Sequence, residues 1–318
     1  MTRRLLIVGR GKFAIDCLKM IRRLAPECAL YVLAEIEADA LGMTLARFCE
    51  RSSIEYREYD RLNTETNISK ALSFGADLGI SLNNFQIIKP SLLSSTREGF
   101  INFHNGPLPL YGGVNVCSWA IINGETDYGV TWHFLDEDVD TGDIIAQRHF
   151  PIFSDSTALS LTMTCIKTGL EMFEQLAPVL ADGSIPRRLQ PGDHSSYFSR
   201  RDVPNGGCID FSWSSDRIDR FVRGLSFRPM PNPFVNPQMR YEDSAFYVSR
   251  AAACRRTDKN TIAPGTVVHV SREGIRVSCG DGLIILHEIT DTESNVIPME
   301  RFISEYRVEA VSYTHLTL

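Results

Sequence analysis

Apolar residues first gather in a short run, Leu5 to Val8, closed by Gly9-Arg10-Gly11-Lys12. Behind the glycines Phe13, Ile15, Cys17, Leu18, Ile21 and Leu24 fall at helical spacing, so strand, glycine turn and helix open the chain. The alternation continues. Residues 30–33 predict a strand, 38–50 a helix, 54–56 a strand, 65–74 a helix, and 77–82 and 99–104 further strands. Residues 129–134 predict another strand, and 144–149 continue it after a loop. Strands alternating with helices imply a mainly parallel sheet.

From residue 156 to 182 the apolar positions Leu159, Leu161, Met163, Ile166, Leu170, Met172, Phe173, Leu176 and Val179 predict one long helix, with Ser156 or Thr157 as its cap. Residues 183–208 are rich in Gly, Pro, Ser and Arg, the composition of a connection. A short helix over 215–225 and a proline-rich loop over 228–237 follow. Beyond them, glycine-punctuated runs at 245–248, 265–270, 274–278 and 282–286 predict short strands and a small barrel. The expected fold is therefore α/β: a doubly wound, mainly parallel, Rossmann-like sheet with a smaller C-terminal β-barrel domain. The expected division is 1–190 for the first domain, 191–208 for a linker and 209–310 for the barrel. Residues 311–318 fit neither and read as a translated linker or a broken gene end.

Composition changes this picture little: 43% of residues are hydrophobic and 23% charged, ordinary for a globular chain. A formal net charge of -6 argues against a surface built to neutralise phosphates. The eight cysteines show no metal spacing, so no metal is expected; they read as buried thiols in a reducing compartment. The apolar run at the start is too short for a signal peptide or a membrane span, which gives a cytoplasmic expectation.

Candidate chemistry sits at the end of the strand 99–104. Asn102 and His104 are two apart, so their side chains leave the same face. Ligands gather outside the carboxyl ends of strands in open α/β sheets. An Asn NH2 can donate to a developing oxyanion and an imidazole can move or stabilise a proton, a pairing suited to acyl transfer. The alternative reading is a pair of structural or solvated polar residues. The loop Asp136-Glu137-Asp138-Val139-Asp140-Thr141-Gly142-Asp143 offers a carboxylate, which beside a His favours the imidazolium.

Other features read blandly. Gly9-x-Gly11 lacks the third glycine of a dinucleotide fingerprint, since Ala14 stands there. Arg10 and Lys12 read as solvated, His133 as packed or hydrogen-bonded, Trp119 and Trp132 as core. His149, His194, His269, His287 and His315 form no cluster, and Arg255, Arg256 and Lys259 make only a small basic spot.

The stretch Ile101-Asn102-Phe103-His104-Asn105-Gly106-Pro107-Leu108-Pro109-Leu110-Tyr111-Gly112-Gly113 resembles the N-x-H-x-S-L-L-P segment of the folate-dependent formyltransferases. Ala120 to Glu125, Gly129 to His133, and Val139-Asp140-Thr141-Gly142-Asp143 resemble the segments that follow in the same family. Its members include methionyl-tRNA, glycinamide ribonucleotide and sugar N-formyltransferases, and formyltransferase domains of non-ribosomal peptide synthetases; the wording here is most similar to the last. The resemblance implies catalysis by Asn102, His104 and Asp140. It implies a pterin pocket made by Phe85, Gln86, Ile87 and Ile88 on one side and by Asp136 and Val139 on the other. It implies 10-formyltetrahydrofolate as donor and an amine as acceptor, small or carrier-bound, aminoacyl or amino sugar.

Initiator tRNA is a less favoured acceptor, because Glu35-Ile36-Glu37-Ala38-Asp39 is acidic and residues 205–318 carry 13 Lys and Arg against 14 Asp and Glu. Hydrolysis of the formyl-folate, or folate binding without turnover, are further alternatives. Gly106 replaces the family's small Ser, and Pro107-Leu108-Pro109 its Leu-Leu-Pro. These departures are expected to leave the chemistry untouched and to reshape the amine side.

Overall fold

The computed structural model describes residues 2–37, 42–191, 195–254 and 262–310. Arg255, Arg256, Lys259, His194 and the tail 311–318 lie outside the described residues, as do 38–41 of the predicted second helix and Ala38 and Asp39 of the acidic segment. The chain opens with β1 (Arg4–Gly9), α1 (Gly11–Leu24), β2 (Ala29–Glu35), α2 (Leu45–Arg51), β3 (Glu55–Tyr59), α3 (Glu65–Phe74) and β4 (Leu78–Leu82). A single turn α4 (Pro90–Leu93), β5 (Phe100–His104) and a two-residue strand β6 (Gly112–Gly113) follow. Then come α5 (Val116–Asn123), β7 (Asp127–Phe134), β8 (Ile144–Pro151) and the long α6 (Ala158–Asp182). After a short strand β9 (Tyr197–Phe198) the chain forms α7 (Ser215–Gly224), β10 (Gln238–Tyr241), β11 (Ser244–Cys254), β12 (Val267–Ser271), β13 (Gly274–Ser278), β14 (Leu283–Thr290), β15 (Val296–Ile297) and α8 (Met299–Glu305).

The main sheet runs β3-β2-β1-β4-β5-β7-β8. The pairings from β3 through β5 are parallel, and β7 runs antiparallel to β5. Leu5, Leu6, Ile7 and Val8 of the central strand are wholly buried, as a strand covered on both faces must be. On one face Leu6, Val8, Leu33 and Phe100 join Ala71 of α3 and Leu92 of α4. On the other, Phe103 lies 4.9 Å from Phe13 of α1 and 5.2 Å from Trp132, which in turn lies 5.1 Å from Phe173 of α6. Helices on both faces make the sheet doubly wound, as the alternating pattern predicts.

Side-chain caps fix the starts of α2, α3, α6 and α7. Thr44 accepts from the Arg47 N–H, so α2 begins at Leu45; of the helix predicted over 38–50, residues 42–44 are not helical and 38–41 lie outside the described residues. Thr157 and Ser160 exchange backbone-to-side-chain hydrogen bonds at the start of α6, which settles the cap between Ser156 and Thr157. Ser214 caps α7 through the Arg217 N–H. Helix α5 is apolar all round, so periodicity does not reveal it.

The structure divides into two compact units. One holds the chain up to Gly113 with Tyr128–Phe150 and Met163–Tyr197; the other holds Val114–Asp127, Pro151–Thr162 and the chain from Phe198 onward. In the second unit α5 packs on α7: a Cβ on Gly224 would stand 2.5 Å from Ile122 and 3.0 Å from the Ser118 carbonyl. Its sheet runs β10-β11-β14-β13-β12 with β15 on β14, and its strand pairs are antiparallel. Phe221, Phe246, Ile275, Leu286 and Phe302 lie in its core. The predicted strands 245–248 and 282–286 are the middles or starts of longer ones, β11 and β14. No helix among the described residues is long and apolar enough to cross a membrane.

Trp132 is fully buried, and its indole N–H donates to the Gly169 carbonyl at 3.2 Å. Trp132→Ala removes this aromatic slab. It is expected to cost about 3–5 kcal/mol in urea denaturation. A loss below about 1 kcal/mol would show that the slab does not hold the sheet to its helices.

Candidate functional site

The site is built where β5 ends. The antiparallel register sets Asn102 opposite His133, Phe103 opposite Trp132 and His104 opposite Thr131. Phe103 and Trp132 point into the aromatic slab, so alternation sends Asn102, His104, Thr131 and His133 to the other face. Four polar side chains thus meet over an apolar floor.

His104 is buried and bracketed by two acceptors. Its Nε2 lies 2.6 Å from the Tyr111 carbonyl and its Nδ1 3.5 Å from Asp140 Oδ2. A carbonyl and a carboxylate can only accept, so each ring nitrogen faces an acceptor. The contact to the carbonyl is short; the one to the carboxylate is loose. Nδ1 is therefore the nitrogen turned toward open chemistry.

His133 behaves oppositely. Its Nδ1–H donates to the Phe134 carbonyl at 2.8 Å, which leaves Nε2 as an acceptor for the Asn102 NH2 at 3.3 Å. Burial is the chief cause that pushes this histidine down to about 4, with His104 adding to it and Asp140, 3.6 Å away, opposing. A neutral His133 holds one N–H of Asn102 and leaves the other to point into the site. The expectation that His133 is hydrogen-bonded agrees with this arrangement.

Asp140 comes from the loop after β7, with its side chain 9% exposed and its backbone in the left-handed region at φ 61. The Gly113 N–H donates to Oδ2 at 2.8 Å. Gln190 clamps the turn, its NH2 donating to the carbonyls of Asp140 at 2.8 Å and Gly142 at 2.7 Å. A Cβ on Gly142 would stand 2.1 Å from the Phe134 carbonyl, so the turn admits only glycine. Thr131 steadies the loop after β5: its hydroxyl donates to the Gly106 carbonyl at 2.7 Å and accepts from the Leu108 N–H at 3.1 Å.

Asn102, His104 and Asp140 are thus brought together across 38 residues of sequence. Tyr111, Gly113, Gln190 and Ser196 belong to the same site and were not singled out. Gln190 and Ser196 come from the stretch read as a connection and linker, where composition signals only a loop. Gly106 lies against the His104 ring: a Cβ there would stand 2.8 Å from His104 Nε2.

The residues expected to hold a pterin divide by environment. Gln86 is engaged by the fold, its NH2 donating to Glu35 and to the Asp60 carbonyl while its carbonyl accepts from the Leu62 N–H. Ile88 is buried in the core. Phe85 and Ile87 present 60% and 70% of their surface to solvent. Asp136 accepts from the Glu137 N–H, and Val139 is exposed. Val139 and Asp140 line a cleft of about 340 Å³ together with Leu108, Pro109, Ser196 and Tyr197. At the first glycine turn the Gly11 and Leu45 N–H groups both donate to Glu37, so a carboxylate of the chain itself holds the anion position. Lys12 pairs with Asp16, and Arg10 lies 3.8 Å from Glu35.

The protonation of His133 has a consequence for stability. The unfolded chain takes a proton at this histidine once the pH drops below about 6.5, whereas the folded chain resists until about 4. Stability is thus complete above the upper value and is lost as the pH falls between the two. His133→Gln is expected to flatten that part of the curve of urea midpoint against pH. Parallel curves for variant and parent would show that His133 is not the group responsible.

Known protein families match both parts of the chain. The model of the formyl transferase family matches residues 37–175, and that of the formyl transferase C-terminal domain matches residues 203–307. The methionyl-tRNA formyltransferase of Acetivibrio thermocellus is 27% identical over 310 residues, covering 96% of this chain and 97% of that protein. The GDP-perosamine N-formyltransferase of Brucella melitensis is 31% identical over 245 residues, covering 77% of this chain and 92% of that protein. Among solved structures, the N-formyltransferase of Helicobacter canadensis, in complex with folinic acid and dTDP-3-aminofucose, shares the fold with a TM-score of 0.69 at 24% identity, covering 90% of this chain and 99% of that one. The chain belongs to the folate-dependent formyltransferase family.

Proposed function

We propose that this chain transfers the formyl group of 10-formyltetrahydrofolate to the amino group of a small or carrier-bound acceptor, an aminoacyl group or an amino sugar. The observation that carries the reading is the convergence of Asn102, His104 and Asp140 at the end of β5, with the His104 ring between two acceptors.

The donor supplies a formyl group already activated on nitrogen. The exposed apolar side chains of Phe85, Ile87 and Val139 suit a flat heterocycle. Attack by the amine nitrogen on the formyl carbon turns the formyl oxygen into an oxyanion. The free N–H of Asn102 and the Nδ1–H of His104 donate to that oxygen. Asp140 accepts the proton that the attacking amine must lose, and it returns to the leaving nitrogen as the carbon–nitrogen bond to the donor breaks. Neutral His133 keeps Asn102 turned to donate.

A second reading, formylation of methionyl-tRNA, is favoured by one observation: similarity to a methionyl-tRNA formyltransferase spans 96% of the chain, the C-terminal domain included. Against it stand the 13 basic and 14 acidic residues of 205–318, a balance that gives no phosphate-binding excess.

The test is donor turnover against aminoacyl carrier protein, amino sugars, aminoacyl-tRNA and no amine. Transfer to a carrier-bound aminoacyl group or an amino sugar is the expected result. Transfer to aminoacyl-tRNA, falling steeply with salt, selects the second reading, and formate release without an amine selects hydrolysis. Asn102→Ala and His104→Ala are each expected to fold and to lose turnover by about a hundredfold or more. Near-normal rates in both would remove the roles assigned to them.

A further inference from the structure

The geometry points to Gly106 and Ser196 as positioning residues for His104, acting through the backbone carbonyl of Tyr111; this rests on the reading of His104 as the oxyanion donor. A histidine that donates from Nδ1 needs its ring fixed, because rotation about its side-chain bonds would carry that N–H away from the reacting oxygen. Here the fixing group is a main-chain carbonyl, 2.6 Å from Nε2. Two features let that carbonyl come so close.

The first is the absence of a side chain at 106. A Cβ there would stand 2.5 Å from the Tyr111 oxygen and 2.8 Å from His104 Nε2, inside the space both groups occupy. Neither neighbour is the loose end of a flexible side chain. One is backbone and the other is the buried ring itself, so any larger residue must push carbonyl and ring apart.

The second is the strap formed by residues 195–197. Tyr111 lies in the left-handed region at φ 57, a conformation a bulky residue adopts only under constraint. The constraint is Ser196, whose hydroxyl accepts from the Tyr111 N–H at 2.8 Å. Its carbonyl accepts from the Gly112 N–H at 2.8 Å, and its own N–H donates to the Pro109 carbonyl at 3.3 Å. A segment that composition marks as linker thus pins the peptide that anchors the histidine. Gly106 and Ser196 both act on the direction of Nδ1.

The experiment compares wild type with Ser196→Ala, Gly106→Ala and His104→Gln, reading kcat, the donor KM and the hydrogen-bonded ring proton of His104 in a ¹⁵N-histidine-labelled sample. Ser196→Ala and Gly106→Ala are expected to lower kcat roughly tenfold or more, as small misplacements of a reacting group do. The donor KM should stay within about twofold, because ground-state binding is not altered. The Nε2 proton signal should broaden or vanish in both. Wild-type kcat in folded Ser196→Ala, or an unchanged ring-proton signal in it, overturns the proposal, whether or not Gly106→Ala folds. Turnover surviving in His104→Gln removes the reading of His104 itself. An inactive His104→Gln beside a fully active Ser196→Ala removes only the positioning device.

Discussion

The imidazole of His104, nearly buried between the Tyr111 carbonyl and the Asp140 carboxylate, is the constraint around which the rest of the first unit is arranged. A buried ring with an acceptor at each nitrogen keeps its orientation only where both acceptors are held in fixed places. Each acceptor here has its own support. Asp140 is held by the Gly113 N–H and by a left-handed backbone that Gln190 clamps. The Tyr111 carbonyl is held by Ser196 and by the room Gly106 leaves. Glycines 106, 113 and 142 thus serve one histidine in three ways: by vacancy, by donation and by a tight turn.

The two histidines differ in what their nitrogens meet. His104 meets acceptors at both nitrogens. His133, 6.3 Å away between ring centres, donates to one carbonyl and accepts from Asn102. Burial disfavours a charge on His133, and a charged neighbour would disfavour it further. A neutral ring is also what Asn102 requires, since a protonated Nε2 cannot accept its N–H. The aromatic slab of Phe13, Phe103, Trp132 and Phe173 supplies the rigid underside, so the polar face is set by packing that no polar residue shares.

Much of this was legible in the chain. The strand–helix alternation gave the parallel sheet, and two-residue spacing put Asn102 and His104 on one face. Motif resemblance joined Asp140 to them. The reading failed where a single local choice outweighs periodicity. Thr44 starts α2 later than the apolar spacing suggested. Helix α5 has no polar face to produce a period. That the backbone at Gly106 lies against the His104 ring and the Tyr111 carbonyl is a contact that spacing along the chain does not show.

What the sequence determined by itself was therefore what depends on periodicity and on short-range pattern: the doubly wound sheet, the smaller β domain and the family, with Asn102 and His104 on one face of a strand. Tertiary structure alone decided their relations. The β5–β7 register, which sequence does not encode locally, chose His133 as the partner of Asn102. Chain crossing brought Gln190 and Ser196, distant in sequence and unremarkable in composition, onto Asp140 and Tyr111. Hydrogen bonds act over a few ångströms in space, and pattern along a chain reports only the neighbours that a single element supplies.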